Sequence, residues 1–283
     1  MQKIAVIGAE LMEHGIAQIF AVNGHDVTLV DLDEKILESA TVGIRKNLEL
    51  MAEYDFINPE EIDTTLTRVS TTTNTDKGVN GAEFVVEAVV ENLKVKQKIF
   101  SNLDRICPSS AILASNTSVI SITEIAKESG QKQRIVGAHF WNPPHLIPLV
   151  EVVPGDETAS DTVDATFDLL LSVGKHPVKV KKDVPGFVAN RLQHALWREA
   201  ISIIENDIAD AATVDECIKF GFGLRLPALG PMENSDMVGT DLVLAIHDYL
   251  LKHIESSPAP SPLLREKVEK GELGFKSGQG FQS

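Results

Sequence analysis

The stretch Val6-Ile7-Gly8-Ala9-Glu10-Leu11-Met12-Glu13-His14-Gly15 follows the apolar start Ile4-Ala5 and opens a helix-length amphipathic segment. A strand, a glycine turn and a helix in that order form the first crossover of a dinucleotide-binding α/β fold. There Gly-x-Gly-x-x-Gly lets a diphosphate approach the backbone at a helix N-terminus. Asp31 closes the next strand-like run, where an acidic residue accepts hydrogen bonds from an adenosine ribose and favours NAD over NADP. The turn Gly8, Glu10, Leu11, Met12 and Glu13, with Asp31, is therefore the candidate cofactor-binding set. The glycines are incomplete: Gly8 takes the first position, and Glu10 and Glu13 take the second and third. Unit charges ~6 Å apart at an effective dielectric of ~20 repel by roughly 3 kcal/mol. Each glutamate–diphosphate pair would then weaken binding on the order of a hundredfold. Without a cofactor the sign reverses, because a carboxylate on a surface helix N-terminus stabilises by ~0.3–1 kcal/mol.

Outward from this turn, strand-like runs alternate with helical ones. Strands are expected at Lys3–Gly8, Asp26–Asp31, Arg68–Thr71, Phe84–Ala88, Ala111–Ser115, Ile135–Phe140, Leu149–Val153 and His176–Lys181. Helices are expected at Met12–Asn23, Glu34–Ala52, Asn92–Ile106 and Ser160–Val173. Through the first six strands, near-continuous apolar runs in this alternation predict a parallel sheet covered on both faces; the last two strand-like runs follow around a helix. At Lys182-Asp183-Val184-Pro185-Gly186 the pattern changes, and everything beyond reads as helix: Phe187–Asn206, Val214–Phe220, Met232–Lys252 and Pro262–Lys270. The fold class is thus α/β: a Rossmann-type doubly wound sheet (1–184) followed by an all-α C-terminal domain (185–283).

The 283 residues carry 26 Lys plus Arg against 41 Asp plus Glu, a net charge of −15. That balance argues against nucleic acid or an anionic membrane surface as partner. No apolar run reaches the ~18–20 residues of a bilayer span, and because the strand-like run follows Met1 so closely, no signal peptide is expected. The two cysteines, Cys107 and Cys217, form no metal-ligand spacing, and no metal site is expected. Cys107 reads as an inert thiol, and the expected compartment is a reducing cytoplasm.

Two buried-looking polar residues point to chemistry. His139 ends one apolar strand, and Glu151 interrupts the next, Leu149-Val150-Glu151-Val152-Val153. Removing a hydroxyl proton needs a base with a pKa near working pH, which imidazole supplies. A carboxylate on an adjacent strand fixes its tautomer and stabilises the imidazolium. The alternative is a purely structural His–Glu hydrogen bond.

Six segments together resemble the L-3-hydroxyacyl-CoA dehydrogenase family. They are Val86–Lys96 (VEAVVENLKVK), Ser115-Asn116-Thr117-Ser118, His139-Phe140-Trp141-Asn142-Pro143, Leu149–Val153, Pro185-Gly186-Phe187-Val188-Ala189-Asn190-Arg191 and Gly274–Phe281 (GFKSGQGF). Their order and near-family spacing span essentially the whole chain. The resemblance implies an NAD-binding Rossmann domain, a helical domain that makes a homodimer, and oxidation of a 3-hydroxyacyl thioester to the 3-ketoacyl thioester or its reverse. It makes His139 the general base and Glu151 its partner. It places Ser118 and Asn190 on the substrate oxygens, and Glu91, Lys96, Asn142 and Lys276 on the cofactor. On residue type alone Ser118 reads equally as a helix N-cap before Ile120–Ala126. Asn190 reads as a polar helix-face residue, and Lys96 and Lys276 as surface lysines. Trp141 and Trp197 read as core or cleft wall.

The sequence departs from CoA-handling members in two places. Asn47 and Tyr54 stand near the family's serine and lysine that hold the CoA phosphate, and Glu49, Glu53 and Asp55 lie beside them. The hairpin Pro143-Pro144-His145-Leu146-Ile147-Pro148 looks more like relatives that oxidise small acids or aldehydes. Three readings follow: a 3-hydroxybutyryl-CoA-type dehydrogenase, a dehydrogenase of a small non-CoA hydroxy acid or aldehyde, or a relative that is impaired in cofactor binding or non-catalytic owing to Glu10 and Glu13.

Overall fold

The computed structural model describes residues 2–282. The chain divides into two compact units, one ending at Asn190 and one beginning at Arg191. The first is built on eight strands: β1 (Lys3–Ile7), β2 (Asp26–Val30), β3 (Val69–Thr72), β4 (Phe84–Glu87), β5 (Ile112–Ser115), β6 (Ile135–Phe140), β7 (Leu149–Pro154) and β8 (His176–Lys179). They lie in the order β3-β2-β1-β4-β5-β6-β7-β8. The pairs from β3 through β6 are parallel. The six strands for which a parallel sheet is expected are parallel; beyond them β7 runs antiparallel to β6. The short Pro143–Pro148 connection forces this: a parallel return would need a crossover of a dozen or more residues. β8 pairs parallel with β7 after a helix.

Strand alternation sends side chains to two cores. On one face Ile4, Val6, Val27, Leu29, Phe84 and Val86 pack under α1 (Leu11–Val22) and α2 (Glu34–Glu53). After a short α3 (Glu61–Thr67) and a single-turn α4 (Thr75–Gly78), the other face receives α5 (Leu93–Ile106) and α6 (Ile122–Ile125). Ala5, Ile7, Val85 and Leu113 pack there with Phe100, Leu103, Ile122 and Ile125. α7 (Ser160–Ser172) returns to the first face through Val163 and Leu170. Burying each large apolar side chain contributes roughly 1.5–3 kcal/mol, so the two layers fix the sheet firmly. The strand order reverses between β1 and β4. In open α/β sheets ligands bind at that switch point, outside the carboxyl ends of the strands.

The second unit takes over α8 (Ala189–Glu205) after its first residues and continues through α9 (Ala211–Phe220), α10 (Pro231–Val238), α11 (Thr240–Leu250) and α12 (Pro262–Glu269). The single helix expected over Met232–Lys252 is two helices. Gly239, at φ 98°, breaks it, and an added Cβ there would stand 2.7 Å from Asp241 Oδ1. None of these five helices has a buried residue. Trp197, read from sequence as core or cleft wall, is 48% exposed and lines a cavity with Ile201, Val214, Pro260 and Phe281, wholly within this unit.

Candidate active site

His139 and Glu151 are direct register partners on the antiparallel β6–β7 pair. Their side chains therefore project to the same face of the sheet. The His139 ring is buried, and its Nδ1 lies 2.9 Å from Glu151 Oε2. Rings of Trp141 and Phe187 flank the imidazole at 5.4 and 5.8 Å. The other carboxylate oxygen, Oε1, accepts hydrogen bonds from the backbone N–H of Val188 at 2.9 Å and of Ala189 at 3.1 Å. Those donors come from the Pro185-Gly186-Phe187 turn. Gly186 and Phe187 adopt φ of 78° and 46° there, aiming the start of α8 at the acid. The turn thus belongs with the first compact unit, which extends to Asn190. Burial pushes Glu151 up, but the His139 hydrogen bond and the two backbone donors outweigh it and hold the carboxyl below its ordinary range. An ionised Glu151 only accepts, so Nδ1 carries a proton, and in the neutral ring the lone pair is then on Nε2.

Ser118 and Asn190 are brought together: Asn190 Nδ2 donates to the Ser118 carbonyl at 3.1 Å. The amide's partner is thus the loop backbone. Ser118 is not the helix cap that its position allowed. Ser121 accepts from Glu124 N and caps α6 instead. Asn116, which the sequence reading left without a role, accepts from Phe140 N through Oδ1 at 2.8 Å. It ties the 116–118 loop to the strand end that carries His139.

A second buried polar cluster follows β4. Lys96 is fully buried, with Nζ 2.7 Å from Glu87 Oε1 and 3.4 Å from Glu91 Oε2. This overturns the surface-lysine alternative for Lys96; a buried charge needs partners, and Lys96 has two. Ser115 Oγ donates to the other oxygen of Glu87 at 2.7 Å. Glu87 also had no assigned role. Its sequence signal was an acid ending the apolar run Phe84-Val85-Val86, with a lysine on the following helix. Glu91 accepts from the Thr117 hydroxyl and from the N–H groups of Ser118 and Val119. Burial raises its carboxyl, but the Thr117 hydroxyl, Lys96 and these N–H groups outweigh it and leave it below its ordinary range. Asn142 is exposed just after β6, and Lys276 is exposed in the second unit.

At the first crossover Asp31 is half-buried at the end of β2. Oδ2 accepts from Ala9 N at 3.1 Å and Oδ1 from Asp33 N at 3.0 Å. Each oxygen keeps a lone pair for a ribose hydroxyl. Gly8 has φ +100°, which only glycine adopts without strain. Leu11 is exposed and Met12 half-buried in the first turn of α1. Glu10 stands exposed at the N-cap, but its side chain makes no capping hydrogen bond. Glu13 differs from the surface carboxylate that the helix-dipole argument assumed. It is 5% exposed and folds over Gly8, and its Oε2 has no hydrogen-bond partner. Burial pushes its carboxyl up to about 7; its own backbone N–H offsets a little, and the charges of Glu10, Glu87 and Asp31 add to the rise. The ribose end of a dinucleotide therefore fits this turn. The diphosphate end meets the Glu13 side chain folded over Gly8, and with Glu13 ionised it also meets a buried negative charge.

Comparison with known proteins identifies the family. Residues 3–184 match the family profile described as 3-hydroxyacyl-CoA dehydrogenase, NAD binding domain, and residues 186–283 match its C-terminal domain. A probable 3-hydroxybutyryl-CoA dehydrogenase of Bacillus subtilis is 37% identical over 282 residues, covering 99% of this chain and 96% of the relative. The 5-formyl-3-hydroxy-2-methylpyridine 4-carboxylate 5-dehydrogenase of Mesorhizobium japonicum is 34% identical over 283 residues, covering 99% and 90%. A crystal structure described as a 5-dehydrogenase of the same pyridine carboxylic acid, an NAD+-dependent dismutase, superposes with a TM-score of 0.92 at 34% identity, covering all of this chain and 90% of that one. Through both halves of its length, the chain belongs to the 3-hydroxyacyl-CoA dehydrogenase family of NAD-dependent oxidoreductases.

Proposed function

We propose that this protein interconverts a 3-hydroxyacyl-CoA of the 3-hydroxybutyryl type and its 3-ketoacyl-CoA. The observation that carries the reading is the buried His139–Glu151 pair, whose carboxylate is held from its other side by two backbone N–H groups. Glu151 keeps a proton on Nδ1 and fixes the orientation of the ring. Nε2 of His139 takes the substrate's 3-hydroxyl proton as the C3 hydrogen leaves with its electron pair. The Ser118 hydroxyl and Asn190 amide are neutral groups able to polarise the developing carbonyl. NAD, held at Asp31 and the Gly8–Glu13 turn with Glu91 and Asn142 as further contacts, would supply the hydride acceptor. Trp141 and Phe187 keep water from the ring.

The second reading, a small non-CoA hydroxy acid or aldehyde, is favoured by the surface near Asn47 and Tyr54. Asn47 is bonded to Gln18, Tyr54 is 65% exposed, and Glu49, Glu53 and Asp55 stand beside them in the sequence. A CoA phosphate finds no cation among those five residues. The close superposition on the pyridine-carboxylate enzyme points the same way. Initial rates of NADH oxidation at about pH 6.5, where Glu13 is mostly neutral, separate the readings. Acetoacetyl-CoA turning over far faster than small aldehydes or keto acids supports the first; the reverse preference overturns it. NADH binding without turnover of either class leaves the non-catalytic reading.

The same proposal gives the helical unit a second copy of the chain as partner and places the protein in the cytoplasm. The support is the unburied apolar surface of α8–α11, including Leu192, Phe220, Met237 and Leu244, in a unit with no fully buried apolar side chain among the described residues. Both cysteines are unpaired.

A further inference from the structure

Glu13 lies against the backbone on which a dinucleotide would rest. Its Cγ and Oε1 are 2.9 and 3.0 Å from the point a Cβ on Gly8 would occupy. The side chain is buried with Oε2 unpartnered, and every charge that acts on it is negative: Glu10 from the N-cap of α1, Glu87 from the end of β4 and Asp31 from the end of β2. The nearby cation, Lys96, is held by Glu87 and Glu91. His14, the next residue on the helix, directs Nδ1 to the Glu10 carbonyl at 2.7 Å.

We propose that Glu13 makes dinucleotide binding at the β1–α1 turn proton-linked. The site takes NAD(H) with Glu13 neutral, and a proton is bound together with the cofactor when Glu13 starts ionised. The inference rests on the dinucleotide-binding reading of the turn and adds to it a proton as co-ligand. A diphosphate keeps its negative charge across the neutral range, so it can only raise the proton affinity of a carboxylate beside it. Burial has already brought that carboxyl to about 7, so the linkage falls in the physiological range. Glu10, being exposed, imposes a weaker penalty that salt screens.

The sign follows directly. Below about pH 7 the free protein already carries the proton, and affinity is flat. Above it each pH unit lowers NADH affinity up to about tenfold, because one proton must be recovered on binding. The test is a set of NADH fluorescence titrations of the full chain from about pH 6 to about pH 8.5, on wild type, Glu13→Gln and Glu13→Gly. Calorimetry of wild type at the upper pH, in two buffers of different ionisation enthalpy, counts protons without any variant. The expected results are wild-type affinity that falls with pH, flat and tight binding by Glu13→Gln, and uptake approaching one proton. Wild-type binding that is independent of pH, or that takes up no proton, overturns the proposal and leaves the dinucleotide site standing. Absence of NADH binding in all three proteins at every pH overturns both.

Discussion

Two glutamates, Glu13 at the first crossover and Glu151 on β7, are both buried, and burial acts on both in the same direction. They end on opposite sides of the ordinary carboxylate range. Glu151 faces an imidazole and two backbone N–H groups and stays ionised. Glu13 has one oxygen without a partner and three acids around it, and its carboxyl rises to about 7. Burial alone does not determine a carboxylate's charge; the donors and charges built around it do.

Removing what holds Glu151's charge should have the largest effect. Glu151→Gln keeps shape but removes the charge that accepts from His139 Nδ1. On the dehydrogenase reading kcat falls on the order of a thousandfold while the fold stays intact. Steady-state rates alongside circular dichroism check this, and a loss under tenfold would show His139 working without its partner. Next in size is the removal of Glu13's charge. Glu13 binds its proton more tightly folded (about 7) than unfolded (ordinary value 4.5). The stability this gives is therefore complete below about pH 4.5 and is lost as pH rises toward 7. At about pH 8 Glu13→Gln should be more stable than wild type by roughly 3 kcal/mol, shrinking toward zero near pH 5. Urea melts at the two pH values measure the difference. Smallest is the gift of a partner. Glu10→Lys puts a cation at the exposed N-cap, lowering Glu13's carboxyl and recovering at most about 1 kcal/mol at pH 8. A melt unchanged between Glu10→Lys and wild type would mean that solvent screens the two positions from each other.

The sequence made the sheet legible because its strands are apolar runs bounded by turn residues, and the observed strands start within a residue of their expected positions. α3 was missed because Glu61-Ile62-Asp63-Thr64-Thr65-Leu66-Thr67 is rich in threonine and acids and lacks an amphipathic repeat. The His139–Glu151 pairing was legible because a lone acid in an apolar strand must find a donor. The environment of Glu13 was not. Its charge and position could be read, but whether the side chain turned outward to water or inward over Gly8 depended on tertiary packing. The same blindness made Lys96 look like one of many surface lysines, when its fully buried ammonium bridges Glu87 and Glu91.

The Asn116 amide, clipped onto Phe140 N beside His139, bears on what an arriving ligand must accomplish. The segment carrying the Ser118 hydroxyl is pinned to the imidazole's own strand from the moment the chain folds. A molecule seated there has no wandering loop to quieten, and less of its contact energy is dissipated in organising the protein around it.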